Sequence, residues 1–337
     1  MKALFIGGTG TISAAITQNI INQGWELYLL NRGNRNHLFS GKVTEIRGDI
    51  NNEAEVAEQL RGLRFDVVAD FITFGPAQIE RDFRLFRDKT SQYIGISSAS
   101  AYQKPLSDYR ISESTPLANP FWEYSRNKIA CEQVMLTLYR EYGFPITIVR
   151  PSHTYDERSV PLGVHGKNGS WQVLKRLLDG KPVIIHGDGT SLWTLTHNRD
   201  FAKGFTGLMG NIHAIGEAVQ ITSDETLTWN QIYETIARTL GVPLKSVHIT
   251  SDFLAQSSPY NFRGGLLGDK AHSVVFDTAK LKRLVPGFTA TIRFDQGIRE
   301  TIEYVLSHKE QQKEDPEFDG WCDRVIAVQE RAVQEVL

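Results

Sequence analysis

Cysteine is nearly absent from this 337-residue chain. The two present, Cys131 and Cys322, stand far apart, so neither a disulfide framework nor a zinc spacing can be built from them. The nine histidines form no H-E-x-x-H or similar pair, and no metal site is expected. No apolar run approaches the length of a membrane span. The first one, Ala3–Ile6, ends in glycines and is too short for a signal peptide, so cytoplasmic residence is the expectation. Charge of one sign is not in excess either. Lys and Arg number 37 against 39 Asp and Glu, and the formal net charge of −2 gives no general pull toward nucleic acid or anionic membrane. The local run Arg81, Arg84, Arg87 and Lys89 is interleaved with Asp82 and Asp88 and reads as a solvated helix face. Asn168-Gly169-Ser170 matches a glycosylation sequon without any secretory context.

What is present is an alternation of short β-rich runs and helical segments. Ala3–Ile6, Glu26–Leu30, Val43–Arg47, Asp66–Phe71, Gln92–Ser97 and Pro145–Val149 read as strands. Thr11–Gln23, Glu53–Leu60, Ala77–Arg87 and Trp122–Tyr142 read as helices between them. That rhythm predicts an α/β fold with a doubly wound parallel sheet. After Arg150-Pro151 the loops lengthen and glycines cluster. Further helices are expected at Trp171–Leu178, Asp200–Leu208, Trp229–Leu240, Thr278–Leu284 and Trp321–Val336, with a strand at Val183–His186. The expected organisation is a nucleotide-binding domain over 1–160 and a smaller substrate-binding lobe over 161–337, with part of 193–222 returning to the first sheet.

The loop Gly7-Gly8-Thr9-Gly10-Thr11-Ile12-Ser13 lies between the first strand and the first helix. Gly7 allows the tight turn, Gly10 a close approach of backbone to a pyrophosphate, and the helix N-terminus offers free N–H groups to that anion. The third glycine of this Rossmann fingerprint is replaced by the small Ser13. The end of the second strand reads Leu30-Asn31-Arg32, without the carboxylate that binds the ribose 2′-hydroxyl of NAD. Arg32, with Arg35 nearby, suits a 2′-phosphate. The expected cofactor is therefore NADP or NAD, with NADP favoured. Asp49-Ile50 after the third strand would flank the adenine, or Asp49 would cap the next helix.

Tyr124 and Lys128 stand four apart on one helical face. A tyrosine beside a lysine charge is a base for a substrate hydroxyl during hydride transfer. Ser98 follows a strand at its C-terminal end, where ligands bind in such sheets and where a hydroxyl can stabilise a reacting oxygen. The Gly7–Ser13 loop, Ile96–Tyr102, Tyr124–Lys128, Val149-Arg150-Pro151 and Gly187-Asp188-Gly189 leading to His197 and Asp200 together resemble the extended short-chain dehydrogenase/reductase family. That family includes the nucleotide-sugar epimerases and dehydratases. The resemblance implies that Tyr124 is the acid/base, that Lys128 lowers its pKa and holds the nicotinamide ribose, and that Ser98 bonds the reacting oxygen. The full expected cofactor set is Gly7, Gly10, Thr11, Ile12, Asn31, Arg32, Asp49, Ile50, Phe71, Lys128 and Pro151.

Departures from the family pattern narrow the expected chemistry. Ala99 and Ser100 stand where sugar dehydratases carry an acidic pair, so epimerisation or simple reduction fits better than dehydration. Asp70, Glu123 and Asp156 remain as other sources of an acid. The segment Thr190–His197 has no arginine for a nucleotide diphosphate, and Arg263 and Lys270 are the nearest substitutes. Trp171 and Trp193 would stack on a base or sugar, or belong to the core. The expected substrate is a hydroxyl- or keto-bearing small molecule, with a nucleotide sugar among the candidates. A homodimer is expected, through the Tyr124–Lys128 helix and its neighbour, with Ile129, Val134, Leu136 and Leu138 as contact candidates. The alternatives are an RNA-binding or a cofactor-sensing protein on the same scaffold without turnover. The stretches Trp193–Phe205 and Ala271–Phe288 also resemble a divergent branch of this family whose members include chloroplast proteins that bind stem-loop RNA.

Overall fold

A computed structural model describes the whole chain except Asn34 and Arg35, together with the side chains of Asn36 and His37. The proposed contribution of Arg35 thus lies outside the described residues. Strands β1 (Lys2–Ile6), β2 (Glu26–Asn31), β3 (Thr44–Arg47), β4 (Val67–Asp70), β5 (Tyr93–Ile96), β6 (Ile146–Pro151) and β7 (Ala218–Ile221) form one sheet. Their order is β7-β6-β5-β4-β1-β2-β3, and every neighbouring pair is parallel. The chain reverses direction across the sheet between β1 and β4, which opens a crevice at their C-terminal ends.

The strands are apolar almost throughout because both faces are covered. Helix α1 (Ser13–Asn22) packs Ile16 and Ile20 on one face, with Phe201 and Phe205 of the helix Asn198–Leu208 beside them. Helices α2 (Glu53–Gln59), α3 (Pro76–Phe86) and α4 (Glu123–Tyr142) cover the other, burying Val56, Ile79, Leu85, Phe86, Met135 and Leu138. Leu138 therefore faces its own sheet, while Tyr139 and Tyr142 stay exposed. Between Gly95 and α4 the fit is tight: a Cβ on Gly95 would lie 2.5 Å from the Met135 sulfur.

Arg81 departs from the expectation of a solvated face. It is 4 % exposed and gives hydrogen bonds to Asp82, Asp70 and Asn51. Tyr93 adds a 2.6 Å bond to Asp82. Burial holds the Asp70 carboxyl well above its usual range, with Asp82 adding to the push. The residues on the outer face of α3, Arg84 and Arg87, are exposed and pair with Glu53 and Asp88. Helical period separates the two sets.

The remaining chain builds a second core. Trp229, Ile232 and Ile236 of the helix Trp229–Leu240, Phe294, Ile298 and Ile302 of the helix Phe294–Ser307, and Trp321, Val325 and Ile326 of the helix Pro316–Val336 pack into it. The helix Phe294–Ser307 was not anticipated, although its buried residues recur at helical spacing. Eight residues, Arg263–Lys270, form a π-helix. No helix among the described residues is long and apolar enough to cross a membrane.

Candidate active site

The glycine loop leaves β1 with left-handed backbone at Gly7 (φ 100°) and Gly8 (φ 89°). A Cβ on Gly8 would lie 2.8 Å from Leu29 Cδ2, so only glycine fits there. Thr17 donates to the Gly8 carbonyl at 2.8 Å, and Ser13 Oγ accepts from the Gly10 N–H at 2.9 Å. Ser13 thus does more than permit close packing, since its hydroxyl fastens the loop. The N-terminus of α1 has no side-chain cap and no acidic residue in its first turn. Its N–H groups and partial positive charge face the crevice, as an anion requires.

A cleft of about 610 Å³ runs over this loop. Of the expected cofactor residues, Gly7, Gly10, Asn31, Arg32, Asp49, Ile50 and Phe71 line it. Asn51, Ile72, Phe74 and Gln78 line it as well and were not anticipated. Asn31 accepts from the Gly33 N–H at 2.8 Å, so it shapes the turn where an NAD-binding carboxylate would stand. Asp49 accepts from the Asn51 N–H at 2.9 Å, which fixes the next turn. The Arg47 guanidinium lies against Gly33, with Nε 3.1 Å from where a Cβ would be. Arg47 thus lies beside the turn that carries Arg32, which lines the cleft. A volume of this size, a glycine cradle and an open helix terminus together fit a dinucleotide.

Thr11, Ile12, Lys128 and Pro151 stand elsewhere. Thr11 is held by later segments of the chain, its carbonyl accepting from Asn198 at 3.2 Å and its hydroxyl from Arg158 at 3.4 Å. Ile12 packs toward the sheet core. Pro151 lines the neighbouring cavity. Lys128 is 2 % exposed, and its ammonium donates to the carbonyls of Thr73 (2.6 Å) and Ile96 (2.8 Å). It lies 4.8 Å from the Phe74 ring centroid and 5.7 Å from that of Tyr124. Burial pushes Lys128 down to about 8.

The neighbouring cavity, about 230 Å³, is lined by Ser98, Tyr124, Pro151, His153 and Trp193, and by Asp269 and Lys270 from the second lobe. Ser98 follows β5 by two residues and caps a short 3-10 turn, accepting from the Ser100 N–H at 3.2 Å. Its Oγ is 2.9 Å from Ser100 Oγ, which accepts from Ser125 Oγ at 2.8 Å. Where Ser100 donates to Ser98, the Ser98 proton is free to donate into the cavity. Burial pushes the Tyr124 phenol above its usual range, a hydrogen bond with Ser98 pulls it back, and Asp269 adds to the upward push. The phenol is therefore neutral at pH 7 in this arrangement.

Two buried supports hold the segments that carry Ser98 and Lys128. Asn119 donates to the Ser100 carbonyl at 2.8 Å and to the Gly268 carbonyl at 2.7 Å, tying the serine turn to the π-helix. Glu132, one turn beyond Lys128, takes a two-point bond from Arg150 at 2.9 and 2.6 Å and a further bond from Ser97. Arg150 of the Val149-Arg150-Pro151 motif thereby locks α4 to β6. Asp70 and Asp156 are buried in ion pairs, with Arg81 and Arg158, and Glu123 is exposed. Trp193 belongs to the core of the second lobe and shows one edge to the cavity, and Trp171 packs beside that core. Arg263 is placed over the Phe121 ring.

The chain is similar to known proteins in sequence and in fold. Residues 3–221 match the NAD dependent epimerase/dehydratase family. The chain is 23% identical over 289 residues to 2′-dehydrokanamycin reductase of Streptomyces kanamyceticus, covering 86% of this chain and 80% of that protein. It is 26% identical over 255 residues to the chloroplast stem-loop binding protein of 41 kDa b of Arabidopsis thaliana, covering 72% of this chain and 64% of that one. In fold it is similar to the UDP-glucuronic acid 4-epimerase of Bacillus cereus solved with NAD, with a TM-score of 0.72 at 19% identity over 93% of this chain and 100% of that one. With the match running over more than half its length, the chain belongs to the NAD-dependent epimerase/dehydratase family.

Proposed function

We propose that this enzyme uses NAD(P) to epimerise or reduce a hydroxyl- or keto-bearing carbon of a nucleotide sugar. The observation that carries the reading is the wall shared by Ser98 and Tyr124 in one small cavity beside the glycine-loop cleft. The residues that would hold the cofactor are Gly7, Gly10, Asn31, Arg32, Asp49, Ile50 and Phe71, with the N-terminus of α1. A bound nicotinamide supplies the hydride acceptor and donor. Tyr124 takes the proton from the substrate hydroxyl, and returns it when the carbonyl is reduced. Ser98, positioned by Ser100, donates to the reacting oxygen as its charge develops. Lys128 gives two of its three N–H bonds to backbone carbonyls, and keeps one donor and its charge for the tyrosine and a ribose.

Dehydration is disfavoured. Asp269 is the one carboxylate lining the cavity among the described residues, and it is paired with Lys270 at 3.2 Å. An RNA-binding role is also disfavoured, since the Ser98, Tyr124 and Lys128 set is complete and the net charge is −2. The test is incubation with UDP- and dTDP-sugars and either NAD+ or NADPH, following sugar stereochemistry and cofactor absorbance together. An epimer without net change in cofactor marks an epimerase, and stoichiometric loss of NADPH marks a reductase. A protein whose melting temperature is unmoved by both cofactors would refute the reading.

A further inference from the structure

The cavity beside Tyr124 contains a cation without a partner. Lys104 is 4 % exposed, yet its ammonium makes no hydrogen bond or ion pair with any described residue. The atom is not sealed in the interior either, because it is absent from the wholly buried unpartnered polar atoms. Lys104 is one of the residues lining the cavity. Burial pulls Lys104 below its usual range, with Asp269 pulling it back. An isolated ammonium buried this deeply costs several kcal/mol unless something of opposite charge arrives.

The other groups of the cavity do not supply that charge. Asp269 is already paired with Lys270. His153 accepts the Trp193 indole N–H on Nδ1 at 3.3 Å, and burial holds it well below its usual range, so it is neutral. His272, also near Lys104, is pushed down by burial too. The cavity therefore carries one uncompensated positive charge. Its second cation is fixed from the backbone: the Lys270 carbonyl accepts from His186 (3.1 Å), Trp229 (3.2 Å) and Ser191 (3.4 Å). A space of about 230 Å³ suits a single ring rather than a whole nucleotide, so the reacting ring is the part of a substrate that would sit beside Lys104.

We propose that the enzyme selects a substrate whose reacting ring bears a carboxylate, and that Lys104, with Lys270 beside it, is the residue that reads it. The proposal rests on the reading of this cavity as the substrate site. A neutral hexose would leave Lys104 buried and alone, whereas a sugar acid would complete the ion pair. The same cation could instead meet the diphosphate of a nucleotide sugar, and the experiment separates the two sources.

The full-length protein, saturated with cofactor, is titrated with UDP, UDP-glucose and UDP-glucuronate. The expected result is at least tenfold tighter binding of UDP-glucuronate than of UDP-glucose. Lys104→Gln should bring that ratio to within about twofold, and Lys104→Arg should retain most of it. Equal wild-type affinity for the two sugars overturns the proposal alone. So does an equal weakening of all three ligands in Lys104→Gln, which would put Lys104 on the diphosphate. Failure of all three to bind a protein that does bind cofactor would take down the nucleotide-sugar reading and this inference with it.

Discussion

Every residue lining the glycine-loop cleft comes from the first 78, whereas the cavity beside Tyr124 draws on segments from Ser98 to Phe276. The cleft is built by consecutive strand–turn units, each fixed by bonds within its own turn: Ser13 to Gly10, Asn31 to Gly33, Asp49 to Asn51. The cavity is fixed by bonds that leap along the chain, such as Asn119 to Gly268 and Trp229 to Lys270. A site of the first kind is written locally and suits a constant ligand. A site of the second kind changes whenever any of several loops changes, which suits it to substrate choice.

The sharpest way to separate the two regions is to remove the proton-transfer group while leaving the cleft intact. Tyr124→Phe should lower kcat by about 10²–10⁴-fold, the usual contribution of a positioned acid/base. Cofactor binding, read as a thermal shift, should persist, because Tyr124 does not line the cleft. A binding or sensing protein would show no activity to lose, so measurable turnover that survives Tyr124→Phe would refute the assigned role.

Next in size is a break in the support they share. Glu132 is 1 % exposed and holds Arg150 at two points. Glu132→Ala leaves that guanidinium buried and unpaired, which should cost about 3–5 kcal/mol in denaturant unfolding. Double replacement with Arg150→Met should recover part of the loss, since the orphaned charge is then gone as well. No recovery would mean the packing around the pair matters more than its charge.

Lys128 sharpens the comparison through pH. Burial places it at about 8 in the folded protein, against 10.5 for an ordinary lysine. Between those values the unfolded chain binds more protons than the folded one, so stability rises with pH. The penalty is fully present below pH 8 and gone above pH 10.5, and amounts to about 3 kcal/mol at most. Unfolding free energies from pH 7 to 10.5 should rise more steeply in the wild type than in Lys128→Met. Parallel curves would show that Lys128 keeps its charge throughout.

These differences also explain what was legible in the sequence. Strands β1 to β6 and helices α1 to α4 fall within one or two residues of their expected bounds, because hydrophobic period and glycine stops are local signals. The same holds for Ser98, whose position after an apolar run marks a strand end. Arg81 was misplaced because charge counts ignore which helical face a residue occupies, and Asp82 at the next position shares its buried side. The helix Phe294–Ser307 did carry a readable signal in Phe294, Ile298, Ile302 and Val305. The π-helix Arg263–Lys270 did not. Its three glycines resemble a loop, and they matter because Trp122 packs against two of them: a Cβ on Gly264 would lie 2.5 Å from that ring, and one on Gly268 3.0 Å from Trp122 Cβ. Lys104 looked like any loop lysine, since its burial depends on the second lobe closing over it.

The smallest expected effect concerns which cofactor the cleft prefers. Arg32 lies on its rim, Arg47 presses on Gly33 beside it, and no carboxylate stands at the end of β2. Both cations are exposed, so each adds only about 1 kcal/mol to a 2′-phosphate, roughly fivefold in affinity, and less in high salt. Arg32→Ala should weaken NADP by about that factor and leave NAD unchanged, and adding Arg47→Ala should roughly repeat the loss. The ratio of the two dissociation constants at low and at high salt is the measurement. If Arg32→Ala weakens both cofactors equally, the arginine holds a group they share. If neither changes, the preference lies beyond these two side chains, and the Asn31 turn that replaces the carboxylate is then the feature that lets NADP in.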